Sequence, residues 1–317
     1  MKKRIITSFF LILILAPVFF VPFNTNTQAF YYSFIVFMIL FVITGSQEMI
    51  RMYETNKKFG KLPKIGITLL TLATFLSMSG LSTSLVQSPL AINDVLRITI
   101  PIITLILFSF LVFFKDFNGI DVGKALTIIF YLGLGSSSIV ILRFLGIRFI
   151  IYLFLITMVT DVFAYLFGMK YGKHKMVPHI SPKKSWEGAI AGTVIATIIG
   201  SLYALFYGRV FVAGTAFGDF FNSEGYITLL QNFTAIGDSS IWLQALIIVP
   251  LTLLGSIFGQ IGDLVASRLK RTYGIKDFGR ILPGHGGILD RFDSTLFVAM
   301  LLTSIFLVLY ELAPVVI

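Results

Sequence analysis

The chain has 317 residues, 56% of them hydrophobic and only 13% charged, with no cysteine and a formal net charge of +10. So apolar a composition leaves little room for a water-soluble domain, and the missing thiols exclude disulfides, thiol nucleophiles and cysteine metal sites. The positive balance marks membrane topology first and anionic headgroups or substrates second; nothing beyond it points to nucleic acid.

Apolar runs of about 20 residues, the length that crosses a hydrocarbon core of ~30 Å, recur along the chain. They predict nine transmembrane helices, over 5–22, 30–46, 65–87, 95–114, 123–145, 149–169, 188–207, 241–265 and 292–312. The runs are continuous and lack the period-2 alternation of barrel strands, so the expected class is an all-α polytopic membrane protein. The first run follows Met1-Lys2-Lys3-Arg4 and lacks a small-residue cleavage site, so it is read as a retained span. Lys and Arg fall on alternate connections, all except Arg97, Arg143, Arg148 and Arg209. That bias places the N-terminus in the cytoplasm and, with nine spans, the C-terminus outside.

Residues 1–147 hold five spans rich in Leu, Ile and Phe and read as a transmembrane scaffold. Polar residues enter the helices in 148–317, which reads as the catalytic region, with cytoplasmic loops 170–187 and 267–291. The outer segment 207–243 is too polar to span; it suits a short interfacial helix and carries no chemistry. No internal repeat is visible, which disfavours transporters built from duplicated halves.

Three constellations stand out. In Ser267–Asp293, Lys270, Arg271, Lys276 and Arg280 supply positive charge, and Gly284, Gly286 and Gly287 around His285 allow close backbone approach to a ligand. Such a loop suits phosphates, yet Asp263, Asp277, Asp290 and Asp293 would repel one unless a divalent cation lies between. The mixture points to a metal-bound polyphosphate, with magnesium favoured because only oxygen ligands are on offer. The alternative is an ordinary loop of salt bridges and caps, with Asp293-Ser294 capping the last helix. In the second constellation, Asp161, Tyr165 and Gly168 share one helix face that runs into a basic, glycine-containing loop. An acid inside a span faces protein, water or metal rather than lipid; a lysine from a neighbouring helix is its bland partner. The third is Ser181-Pro-Lys183-Lys184-Ser185-Trp-Glu-Gly188, where Ser185 is placed to cap the next helix and the paired lysines offer a cationic clamp or a headgroup contact. His285 suits proton transfer, phosphate hydrogen bonding or a turn. No GxxxxGK[ST], GxSxG or HExxH motif is present.

The run Ser267-Arg-Leu-Lys270-Arg271, Lys276-Asp277 and Leu282-Pro-Gly-His285-Gly286-Gly287-Ile-Leu-Asp290-Arg291-Phe-Asp293 closely resembles the signature of the phosphatidate cytidylyltransferases, or CDP-diacylglycerol synthases. Asp161 with Ala164-Tyr165 and Gly168, and the segment Ser181–Gly188, are similar to that family's upstream motifs. The resemblance is strong over 157–294 and general, in hydropathy only, before that. It implies condensation of CTP with phosphatidic acid to CDP-diacylglycerol and pyrophosphate, with magnesium, one ion or two. Such transfers are catalysed by positioning and charge neutralisation. By match to the family's motifs, the candidates for catalysis are Asp263, Lys276, Asp290 and His285. Those for substrate binding are Lys183, Lys184, Ser267, Lys270, Arg271, Gly286, Gly287 and Arg291, and those for metal are Asp263, Asp290, Asp293 and Asp161. A homodimer, a cell-membrane location and a site facing the cytoplasm, in a cleft open sideways to lipid, complete the expectation. The rivals are an ion-coupled transporter or lipid translocator using Asp161 and Asp263, a related CTP-dependent lipid-phosphate transferase, and a lipid kinase.

Overall fold

A computed structural model describes residues 13, 15–22, 28–81, 92–282, 284 and 286–314. The helices are α1 (Gln28–Tyr53), α2 (Lys61–Met78), α3 (Ile92–Phe113), α4 (Gly119–Leu145), α5 (Ile147–Tyr171), α6 (Trp186–Leu205), the short α7 (Tyr207–Val210) and α8 (Ala216–Phe221), α9 (Ile241–Thr272) and α10 (Asp293–Leu312). Among the described residues seven of these, α1, α2, α4, α5, α6, α9 and α10, are long and apolar enough to cross a bilayer, so the chain is an integral membrane protein. The predicted span 95–114 falls on α3, where 98–113 form a shorter apolar helix. The predicted span 5–22 lies largely outside the described residues, with 15–20 helical.

The expected all-α class needs one amendment. Lys175–Val177 (β1) and Ser181–Ser185 (β2) pair as an antiparallel hairpin, with Lys175 opposite Ser185 and Val177 opposite Ser181. Strands this short carry too little alternation to be read from sequence. Ser185 then caps α6 as expected, its side chain accepting from the Gly188 N–H at 3.3 Å.

The chain divides into two compact units. The first comprises 1–15, 31–141 and 269–292, so the loop 273–292 groups with the N-terminal helices. Within this unit α4 begins on a reciprocal cap. Asn118 Oδ1 accepts from Ile120 N and Asp121 N at 3.1 Å, and Asp121 Oδ2 accepts from Asn118 N at 3.1 Å. Lys57 and Lys124 close on the buried Asp121 carboxylate at 2.5 and 3.1 Å.

The second unit comprises 16–30, 142–268 and 293–317. Here α5 and α6 approach until backbone meets backbone. A Cβ at Gly188 would lie 2.5 Å from the Ala164 carbonyl oxygen, and one at Gly192 would lie 2.6 Å from that of Thr160. Small residues drive such contact where lipid removes the usual hydrophobic incentive. Polar groups along α9 complete the seam at four-residue spacing. Thr252 meets Tyr152 Oη at 2.7 Å and Ser201 at 3.2 Å, Ser256 meets Thr160 at 2.7 Å and Thr193 at 3.3 Å, and Gln260 donates to Thr193 at 2.7 Å and to the Ala189 carbonyl at 3.2 Å. The 207–243 segment is an ordered cap of this unit: Asn222 holds Phe211 O and Tyr226 O, and the Tyr226 ring lies 3.9 Å from the Arg148 guanidinium.

Candidate active site

The polar seam of the second unit ends in a cavity of about 560 Å³. It is lined by Asp161, Ala164, Tyr165, Gly168 and Met169 of α5, by Lys175, Lys183, Lys184 and Ser185 of the hairpin, by Ala189 of α6, and by Gln260 and Asp263 of α9, with Gly172 at the end of α5. Helix periodicity explains the choice. Asp161, Tyr165 and Gly168 share a face, and Asp263 continues the stripe begun by Thr252, Ser256 and Gln260. The hairpin delivers the cations: Lys184 Nζ lies 2.6 Å from Asp263 Oδ2, both groups partly open. Ser267 Oγ donates to Asp263 Oδ1 at 3.4 Å. Asp161 interacts electrostatically with both Asp263 and Lys184 and hydrogen-bonds the Ser294 side chain. Thus the sequence-selected residues Asp161, Lys183, Lys184 and Asp263 line one cavity, joined by Lys175. Tyr165 and Met169, both more than half exposed on membrane-spanning α5, border it.

Asp293 is buried at the start of α10, outside this lining, where its Oδ1 accepts from Ser294 N at 2.9 Å.

The first unit holds the glycine-rich loop. Lys276, Asp277, Gly279, Arg280, Leu282, Gly284, Gly286 and Arg291 line a second cavity of about 640 Å³. Below it Asp290 is a hub: Oδ1 accepts from Lys270 Nζ at 2.7 Å, and Oδ2 accepts from Phe278 N at 2.8 Å and Gly287 N at 2.9 Å. Both members of that ion pair are buried, and the Lys270 ammonium also sits 4.8 Å from the Phe278 ring. Arg271 donates to the Ile275 carbonyl at 3.0 Å. Gly284 and Gly286 adopt positive φ, which favours glycine, whereas Gly287 has an ordinary φ and is buried. His285 lies outside the described residues.

One participant escapes sequence reading. Glu48 of α1, fully buried, accepts from Ile288 N through Oε1 and from Leu289 N through Oε2, both at 3.0 Å. A Cβ at Gly287 would come within 2.5 Å of both its carboxylate oxygens, and one at Gly279 would collide with Oε1. The available signal was an acid at the end of an apolar run, but a predicted span ending at residue 46 counts it as loop.

Two carboxylates, a lysine-bearing hairpin and a cationic glycine loop are groups suited to phosphate chemistry. A profile of the cytidylyltransferase family matches residues 2–309. The chain belongs to the cytidylyltransferase family. Among members, the phosphatidate cytidylyltransferase of Staphylococcus haemolyticus is 42% identical over 198 residues, covering 62% of this chain and 64% of that protein. That of Staphylococcus saprophyticus is 37% identical over 212 residues, 67% of this chain and 69% of the relative. That of Staphylococcus aureus is 41% identical over 198 residues, again 62% and 64%. The chain therefore spans slightly less than two thirds of the length of the first and third of these cytidylyltransferases.

Proposed function

We propose that this cytidylyltransferase condenses CTP with phosphatidic acid, releasing pyrophosphate and leaving CDP-diacylglycerol in the membrane. The observation that carries the reading is the cavity in which Asp161, Asp263 and Lys184 meet beside the exposed, membrane-spanning surface of Tyr165 and Met169. A diacyl substrate keeps its tails in lipid, so its phosphate must be received at such a boundary. A phosphate oxygen of the lipid bonds to the α-phosphorus of CTP while the bond from that phosphorus to the bridging oxygen of pyrophosphate breaks. The nucleophile is an already ionised monoester, so no base need remove a proton, and positioning with charge neutralisation supplies the catalysis.

Lys183 and Lys184 bind phosphate from the hairpin in this reading, and Lys184 exchanges its contact with Asp263 for one with substrate. Lys276, Arg280 and Arg291 bind phosphate from the loop; Asp290 and Lys270 hold that loop in place, and Ser267 positions Asp263. The described residues contain no cluster of three acid or histidine side chains fit for a metal. Magnesium does not need one, since it characteristically takes one or two protein carboxylates and completes its shell with water and substrate phosphates. Asp161 and Asp263 fit that pattern and would hold it; bound there, the ion would neutralise phosphate charge. Asp290, whose two oxygens already accept three hydrogen bonds, is better fitted to organise the loop.

The same reading includes nine spans, a cytoplasmic N-terminus, a site facing the cytoplasm of the cell membrane, and a homodimer, which light scattering of the solubilised protein tests. Activity is tested with purified protein, cytidine-labelled CTP, phosphatidate and magnesium. Labelled CDP-lipid is expected. A folded protein that forms none sinks the proposal, and release of CDP without cytidine transfer identifies a kinase instead.

A further inference from the structure

Three successive backbone N–H groups of the glycine loop point at carboxylates: Gly287 at Asp290, Ile288 and Leu289 at Glu48. Asp290 is local, but Glu48 arrives from a helix some 240 residues earlier in the chain. Two donors aimed at two separate oxygens call for a carboxylate; an amide offers one acceptor and sets its own N–H₂ against the second donor. The glycines answer the same group. Neither Gly279 nor Gly287 has a positive φ, yet a Cβ on either would strike the Glu48 side chain.

We propose that Glu48 is a positioning residue for the reaction, locking the loop so that Lys276, Arg280 and Arg291 present a fixed cationic surface to the phosphates of CTP. This rests on the phosphatidate cytidylyltransferase reading above. It also gives Gly279 and Gly287 a stated purpose, clearance for Glu48, that is independent of substrate. The anchor is a buried one, and deleting it leaves a buried N–H at Leu289 and a part-buried one at Ile288 without acceptors, which is the costly way to lose a hydrogen bond.

The test uses the full-length protein and the variants Glu48→Ala, Glu48→Gln, Gly279→Ala and the double Glu48→Ala/Gly279→Ala. In Glu48→Ala and Glu48→Gln, amide hydrogen exchange at Ile288 and Leu289 is expected to quicken by about tenfold or more. The KM for CTP is expected to rise by a similar, about tenfold, factor while the KM for phosphatidate moves by less than about twofold. Gly279→Ala should mimic this, and the double variant should be no worse than Glu48→Ala alone, because the clashing partner has gone. Unchanged exchange at 288 and 289 in Glu48→Gln overturns the anchor. Faster exchange with an unchanged KM for CTP, or an equal rise in both KM values, overturns the positioning role. Should Glu48→Ala not fold, Glu48→Gln carries the test. A wild-type protein that makes no CDP-lipid overturns the enzymatic reading and with it the positioning role, while exchange at the two amides still decides the anchor.

Discussion

Asp263 and Asp290 share a side chain and differ in what each has left to give. Asp263 is partly open, with one close ionic partner on a hairpin lysine, whereas Asp290 is buried and holds a lysine and two backbone donors. Asn at 263 is therefore expected to reduce CDP-lipid formation by at least about a hundredfold, in line with loss of a group that stabilises transferring phosphate, with little change in thermal stability. Asn at 290 should lower both, since breaking a buried ion pair costs about 3–5 kcal/mol; thermal melts alongside turnover check the contrast. Sequence reading selected both acids because charge within an apolar chain is conspicuous. It passed over Glu48, whose partners are backbone N–H groups that leave no trace in residue type. Nor could it have shown that Gly287 gives clearance to Glu48, since clearance for a neighbour and clearance for a substrate look alike in one dimension.

At the scale of elements, the site depends on how closely α5 and α6 approach. Gly188 faces the Ala164 carbonyl and Gly192 that of Thr160, backbone atoms that cannot swing aside. Gly188→Ala is expected to destabilise the protein by about 1–3 kcal/mol, as overpacking does, and to lower turnover by displacing Asp161 from the hairpin lysines. A melting curve and a transfer assay on the same preparation decide it, and an unchanged melt would refute the packing account. The Ser185 cap was legible because a cap is a local pattern of a few residues. The hairpin before it was not, because β1 and β2 are too short for periodicity.

At the scale of the whole chain, length and hydropathy located the seven long apolar helices among the described residues, because a ~30 Å apolar slab imposes one requirement on every span. They identified the fate of the arginines less well. Arg143 and Arg148 count in the charge tally as outer-side residues, yet both are buried, Arg143 donating to the Val21 carbonyl and Arg148 to that of Thr228. The absence of cysteine provides a direct test of orientation. In intact cells a membrane-impermeant maleimide is expected to label Glu224→Cys and to spare Lys173→Cys until the membrane is permeabilised, both positions being exposed. The reverse pattern would invert the proposed topology. The 32 residues of α9, ~48 Å at 1.5 Å per residue, exceed what a hydrocarbon core can cover. Since Asp263 rides on that overhanging helix, host-bilayer thickness should set its depth through helix tilt. Reconstitution across a series of acyl-chain lengths should therefore give the proposed turnover an optimum, which would make the reaction a gauge of the bilayer around it.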